Sequence, residues 1–594
     1  MSLKSILLLL FFLSLKGLAQ VIPSDRQVDW TEALQSYQFK NPSTEVNVID
    51  FGAVGDGINN DWQSIQNAID FFEGKLGAIY FPNGIYLIKQ PLIIPDSIVL
   101  FGDGASQTSL VFNFENVSAN CIIFKRNQEN SFFLVDDGYT KGSMLLISDS
   151  AFLLHAGDVA QLRQKNGEWD DKPISWGDFA VGQIVRINHI LGDSIYLEQA
   201  LRFNYSPELN PQIRKVDPIV NSGIQCLKIK RIDQAETGGG ANMLLSYCAN
   251  CQIRGVESDT SAGSHIDIFN SLNILVDGNY IHHSFEYDGA SKHGYGITLN
   301  NSSSACLITN NIFRHLRHAM MVKTGANGNV FSYNYSIEAV RSEWPNDLSG
   351  DISLHGHFAY ANLFEGNIAQ NVIIDHYWGP SGPYNTFFRN RLSLYGIIMT
   401  SGDSTTSDQQ NFVGNETTDD SFFHGQYALT GSSHFEFGNS ILGSVIPTGT
   451  IELNDSSYYL TSAPDFWNNE IVWPSIGIPN EPDSGSIPAK QRFIEDDQLA
   501  LCPDSSASFV PQDYSADFEV LIWPNPARHQ FNIQFSEKGE WNIKFFAPDG
   551  RVILETITEK NINFKLNENH QTGIYLLKIW NKEKVITRKI IVVK

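Results

Sequence analysis

The sequence predicts an all-β chain whose body is a right-handed parallel β-helix, and three observations point there. An apolar-x-x-Asn phrase recurs at Val276/Asn279, Ile308/Asn311, Phe331/Asn334, Phe364/Asn367, Phe387/Asn390 and Phe412/Asn415, with asparagine intervals of 32, 23, 33, 23 and 25. A base period near 23 with two longer coils is the signature of a stacked solenoid, in which each repeat buries its apolar face only against its neighbours. Short apolar runs are broken by the turns Pro82-Asn83-Gly84, Pro95-Asp96-Ser97 and Gly102-Asp103-Gly104, as strands require. The 594 residues, with 46 glycines, exceed one ordinary compact domain, a limit that a solenoid escapes.

The chain opens on a targeting segment. Lys4 precedes the apolar run Ile6 to Leu15, and Gly17-Leu18-Ala19 supplies small residues before Gln20. This pattern predicts a secretory signal peptide over residues 1–19, too short to span a membrane comfortably. Export permits disulfides, and the six cysteines are read as buried thiols or one local bridge. Cys248-x-x-Cys251 lacks the second pair of a zinc site. The net charge of −24 excludes nucleic acid as a partner. It would also repel an acidic polymer, unless the groove that binds the polymer is locally basic.

The β-helix is expected over residues 46–473. Near its start come Asp50-Phe51-Gly52-Ala53-Val54-Gly55-Asp56-Gly57 and Asn60-Asp61. Trp62, Ile65, Ile69 and Phe72 follow at helical spacing, with Asn60 or Asp61 as the cap. Ile79-Tyr80-Phe81-Pro82-Asn83-Gly84 then returns to strand. These sixty or so residues resemble the opening of the pectate-lyase-superfamily domain of rhamnogalacturonase and epimerase-like proteins. The resemblance implies a helix plugging the N-terminal end of the β-helix, where an open coil would expose core and strand edges. It identifies a fold better than an activity.

Alternating strands at Gly157–Leu162, Gly182–Asn188 and Gly192–Leu197 predict a small antiparallel β insertion over residues 133–205. Residues 474–519, rich in Pro, Ser, Asp and Glu, read as a linker. A last domain over 520–594 opens on Val520-Leu521-Ile522-Trp523-Pro524-Asn525-Pro526 and ends on Arg588-Lys589-Ile590-Ile591-Val592-Val593-Lys594. It resembles the C-terminal sorting domain of the type IX secretion system of Bacteroidetes. That resemblance implies a β-sandwich, the type IX machinery as a partner, and export to the outer surface or beyond.

Parallel β-helices bind polymers along one sheet. In Asp351-Ile352-Ser353-Leu354-His355-Gly356-His357-Phe358, alternation puts Ile352, Leu354 and Phe358 in the core and turns Asp351, Ser353, His355 and His357 outward. The 23-residue interval sets Asp375 one coil away, near Asp351 or Ser353. The preceding coils bring Lys323, Arg317, His318 and His293 to the same sheet, an unusual concentration of ionisable groups for an idle face. Lys323, His355, His357, Asp351 and Asp375 are the catalytic candidates. Arg317, His318, His293, Tyr377 and Arg389 are candidates for holding the polymer. Asp351 could instead cap a turn, Arg389 could stack between coils or be solvated, and His318 and His376 fall on the apolar parity of their strands, where they would be core histidines. No cofactor is fixed by the sequence. Calcium or a transition metal is an option, since His355-x-His357 has ligand spacing and Asp351 or Asp375 could be a third donor.

Three functions compete for a secreted, monomeric protein with a polysaccharide as substrate. A lyase acting on a uronic acid polymer needs cations for the carboxylate and a base for the adjacent proton; Arg317, Lys323 and the histidines favour this reading. A glycoside hydrolase needs two carboxyl groups across the bond, for which Asp351 and Asp375 are the pair. The third reading is a non-catalytic glycan-binding or adhesion protein.

Overall fold

Apolar residues at alternate strand positions share a common core, and successive coils stack them into three parallel faces. The computed structural model describes residues 20–502, except 38, 40–41, 43, 73–74, 236–238, 401–404, 468–469 and 497. It also describes 520–592, except 524–526, 528, 536–539, 548–550, 560, 567–572 and 582–584. The expected signal peptide and residues 503–519 of the expected linker lie outside the described residues.

Face A is a twelve-stranded sheet that begins at Glu45–Asn47 and ends at Phe435–Phe437. Face B carries Glu257–Ser261, Tyr280–Ser284, Ile312–Arg314 and Tyr335–Ile337. Face C carries Ser264–Phe269, Tyr295–Asn300, His318–Val322, Ile352–Leu354 and the far halves of Ile368–Ile374 and Arg391–Met399. Between faces A and B, the recurring asparagines form one ladder. Asn279, Asn311, Asn334, Asn367, Asn390 and Asn415 each pass an Nδ2 hydrogen bond to the next Oδ1, the last of them on Asn439, at 2.8–3.0 Å. Inside it, Phe331, Phe364, Phe387 and Phe412 stack at centroid spacings of 5.0, 5.1 and 5.2 Å. The ladder satisfies buried amides that would otherwise cost about 1–3 kcal/mol each.

Helix Trp62–Asp70 closes the N-terminal end, with Ile65, Ala68 and Ile69 in the solenoid core. Of the two expected cap side chains, Asn60 makes the bond, its Oδ1 accepting the Trp62 N–H at 3.3 Å. The Asp61 carboxylate makes no cap bond and instead accepts Val54 N–H at 2.7 Å and Gly55 N–H at 3.2 Å. Asp61 therefore fixes the preceding glycine turn. The insertion is a six-stranded antiparallel sheet running from Phe133–Leu134 to Gln212–Val216, so it extends past residue 205. It lies on the corner between faces C and A. Its Ile184 N–H reaches Ser304 Oγ at 3.1 Å, and its Gly182 carbonyl accepts Asn327 Nδ2 at 2.9 Å and Tyr360 OH at 2.8 Å.

The outer side of face A is covered. Leu275, Leu307, Val330 and Leu363 pack under Trp30 from the N-terminal arm and Tyr458, Trp467, Ile476 and Ile487 from the C-terminal arm. Residues 474–502 thus belong to the body, which forms a compact unit to residue 507. Their prolines and serines shape a wrapping arm, including helix Pro488–Glu495, rather than a free linker. The one disulfide among the described residues is not local: Cys226 pairs with Cys502, 276 positions away, and Cys121, Cys248, Cys251 and Cys306 are buried thiols. The second unit, from residue 508, contains a three-stranded and a four-stranded antiparallel sheet around Phe531, Ile543, Phe545, Tyr575 and Ile590. No described helix is long and apolar enough to cross a membrane.

Candidate active site

With face A covered, the outward residues of faces B and C remain to meet a ligand. Those of face B largely neutralise one another: Lys228 meets Glu257 at 2.6 Å, Lys230 meets Asp259 at 2.7 Å and Arg314 meets Glu338 at 3.0 Å. Face C differs. The insertion stands along its A side, and loops 285–294, 338–351 and 418–425 stand along its B side, leaving a groove. The loops carry Trp344, 86% exposed, with Phe422 and Phe423.

Register decides what meets in the groove. Ile352 and Leu354 pair with Val372 and Ile374, so the next residue, His355, faces Asp375. His355 Nδ1 lies 2.7 Å from Asp375 Oδ2. The Trp378 indole N–H donates to His355 Nε2 at 3.1 Å, which puts the ring proton on Nδ1. The Tyr377 N–H holds the other carboxylate oxygen at 3.0 Å. Tyr377 is 68% exposed and its ring lies parallel to His355, 3° from coplanar at 6.0 Å. Burial by itself would raise the Asp375 carboxyl, but His355 and the Tyr377 N–H hold it below its ordinary range.

The His318 ring approaches His355 at 5.8 Å and Tyr295 at 4.8 Å, and Arg317 donates to Tyr295 OH at 3.3 Å. Burial first, then the charge of Arg317, keeps His318 well below the usual histidine range. Lys323 occupies the position across from His355 in the preceding coil, since Val322 pairs with Leu354. Its ammonium lies 5.6 Å from the Trp176 ring. Burial, helped by neighbouring Lys292, brings its pKa down to about 8. The Oγ atom of Ser353 and Oδ1 of Asn300 are buried on this face without a partner.

Several sequence candidates lie elsewhere. Asp351 pairs across the sheet with the position of Asn371, four residues short of Asp375, about 13 Å along the strand. It is buried and accepts Ser336 Oγ at 2.6 Å and the Asn371 N–H at 2.8 Å. It therefore ties coils together and cannot share a glycosidic bond with Asp375. His357 does not face out beside His355, because the strand ends at Leu354 and His357 adopts a left-handed φ of 53°. Its ring is fully buried under the insertion, 2.7 Å from the Trp378 carbonyl and 3.2 Å from that of Gly177. The His-x-His spacing is therefore no metal pair. Arg389 sits at the A–B corner and donates to the carbonyls of Leu453, Asp455, Ile476 and Ile478 in the C-terminal arm. His293 lies on the rim loop with Asp288 at 2.8 Å and Glu286 at 3.2 Å. Those three offer donor atoms within 4.8 Å of one another, as do Glu257, Asp259 and His282 on face B. His376 is buried, with Nε2 accepting the Ser407 N–H at 3.0 Å.

Sequence reasoning passed over Trp378 and Tyr295, although both flank residues it chose. It also passed over Trp176, whose place in the groove depends on how the insertion folds back.

Comparison with known proteins agrees with this architecture. Residues 45–161 match the family model described as Rhamnogalacturonase A/epimerase, pectate lyase-like, and residues 521–593 match that of the secretion system C-terminal sorting domain. The chain is thus a parallel β-helix protein whose first coils, residues 45–161, match a pectate-lyase-like family and whose last residues, 521–593, match a type IX sorting domain. That domain indicates export to the cell surface or the extracellular space. Among curated proteins, plasmin and fibronectin-binding protein A of Streptococcus pneumoniae is 53% identical over 49 residues, 8% of this chain and 7% of that protein. A capsule K30/K69-specific depolymerase of Klebsiella phage K64-1 is 37% identical over 73 residues, 12% of this chain and 9% of that protein. The chain thus spans under a tenth of either relative. Among solved structures, the Pseudomonas phage phi297 tailspike gp61 has a TM-score of 0.48 at 13% identity, over 63% of this chain and 70% of that one.

Proposed function

We propose that the protein is a secreted polysaccharide lyase that cleaves a uronic-acid-containing glycan on face C. The observation that carries this reading is Lys323, a groove lysine with a pKa of about 8, opposite the Asp375-held His355. A uronate ring has a weakly acidic hydrogen on the carbon bearing its carboxylate. The Lys323 amine takes that proton, the electron pair forms a carbon–carbon double bond, and the glycosidic carbon–oxygen bond on the next carbon breaks. The leaving oxygen takes back the proton from the new ammonium. Arg317, whose guanidinium donates to the neutral Tyr295 hydroxyl, supplies positive charge to the uronate. His355 Nε2 offers an acceptor to a sugar hydroxyl that displaces the Trp378 indole. Tyr377 and the rim aromatics stack on sugar faces.

The depolymerase relative and the pectate-lyase-like match support action on a glycan. The hydrolase reading loses its carboxylate pair, since Asp351 is committed to Ser336 and Asn371. The test is a panel of uronate-containing and neutral polysaccharides incubated with the mature protein. Unsaturated uronate absorbance in the products supports a lyase. New reducing ends without that absorbance, or binding with no release at all, would overturn it.

A further inference from the structure

A second site lies beside the groove, where the insertion roofs the C–A corner. It is a cavity of about 420 Å³, within the ~300–1,000 Å³ of small-ligand pockets. Its floor is the turns that end successive face C strands, including Asn270, Ser302 and Thr324. Its roof brings Arg163 and Arg214 from two adjacent strands of the insertion. Its lining sets Lys125, Arg126, Arg163 and Arg214 against one carboxylate, Asp178, so the cavity is cationic in a chain of net charge −24.

Arg163 and Arg214 are unusual arginines. Their guanidinium groups share the Phe132 ring, at 3.4 and 4.5 Å, and Arg163 also lies 3.8 Å from Phe179. Arg214 bonds only neutral oxygens: Gln161, the Glu129 carbonyl and Tyr247. Arg163 reaches Gln212 at 3.3 Å, and its Nε is buried with no partner. Neither pairs with a carboxylate among the described residues. Burial and the charge of Arg214 bring Arg163 down to about 10. Thr324, 3% exposed on the floor, has an unpartnered Oγ1. Two like charges held together with open donors form a receptor for an anion, because an anion would relieve both the repulsion and the missing bonds.

The position says which anion. Trp176 walls the cavity on one side and meets Trp378 at 5.3 Å on the other. Thr324 follows Lys323 in sequence. The middle of the floor lies about two coils, about 10 Å, from the coil of His355. We propose that this cavity is a subsite for an anionic sugar ring, carboxylated or sulfated, of the same polymer whose bond lies over Lys323 and His355. It rests on the reading of face C as a glycan groove, and it adds that the glycan must carry charge beyond the ring being cleaved.

Binding is read by titration calorimetry on full-length Lys323→Ala protein, which separates it from turnover. The probes are a galacturonate oligosaccharide, a sulfated galactan oligosaccharide and a neutral galactan oligosaccharide. An acidic probe should bind about tenfold or more tightly than the neutral one and weaken with salt. The tighter of the two acidic probes names the substituent. Arg163→Gln should lower that affinity about tenfold or more, and Lys125→Gln at the exposed rim should lower it several-fold without touching the fold. Equal affinity for acidic and neutral probes would overturn the proposal. So would unchanged binding in both variants, or in Lys125→Gln and Arg214→Gln should Arg163→Gln fail to fold. A parent protein that binds the acidic probe yet releases no unsaturated product would instead refute the lyase reading alone.

Discussion

Lys323 offers the sharpest test of the chemistry. Its pKa of about 8, against an ordinary 10.5, makes roughly a tenth of the side chain a free amine at pH 7. At 10.5 that fraction would be about 0.03%, so the environment supplies about 300-fold more base. The rate on a uronate polymer should therefore rise about tenfold per pH unit up to about pH 8 and then level. Lys323→Ala should lower kcat about 10²–10⁴-fold at every pH. Lys292→Gln removes the neighbouring charge that depresses Lys323, so the rising limb should move to higher pH. Initial rates of the parent and both variants from pH 5 to 10 are the assay. A limb that stays in place in Lys292→Gln, or a Lys323→Ala enzyme with full turnover, would refute the assignment. The stability sign is also fixed. The charged lysine is disfavoured in the fold below about pH 8, so this group's contribution to stability should rise as pH climbs from 8 towards 10.5.

Four more outcomes follow from the geometry. His355→Ala removes the acceptor offered to a sugar hydroxyl, worth about 1.5–3 kcal/mol, so kcat/KM of the folded fraction should fall about 10–150-fold. His357→Ala should do the reverse, lowering Tm in calorimetry while the folded fraction keeps its rate. Asp351, lifted by burial to about 6, should withdraw about 3 kcal/mol of stability as pH rises from 4 through 6. Urea titrations should show that slope in the parent and its loss in Asp351→Asn. Cys502→Ser should cost about 2–5 kcal/mol and expose the arm to protease near residue 480.

The solenoid was legible because its signal is local and repeated. Asparagines at intervals near 23 can satisfy one another only by stacking, and the same period placed His355 beside the coil of Asp375. Alternation then failed three residues past the strand's end at Leu354. It assumes an extended backbone, whereas His357 and Phe358 take φ values of 53° and 62° and turn under the insertion. Asp351 was placed outward by parity, but loop 338–351 and Ser336 enclose it. Arg389 and the arm that covers it are 64 to 89 positions apart, and no periodicity links them. The cationic cavity was hidden for the same reason, since Phe132, Arg163, Arg214 and Thr324 meet only once the insertion folds back.

The Trp30 indole donates to the Ala361 carbonyl, 331 positions later, at 2.7 Å, and its ring lies 6.1 Å from Tyr458. A coil stack held only by nearest neighbours could finish from its first turn as it left a translocation pore. This one cannot. Until residues near 500 are free, Leu275, Leu307, Val330 and Leu363 face water and Cys226 has no mate. The chain's last quarter therefore times the maturation of its middle, and a polypeptide halted partway would be a laddered but unsheathed rod with a greasy flank. Any machinery that exports it must either deliver the whole body before that flank finds another surface or shield it until Cys502 arrives.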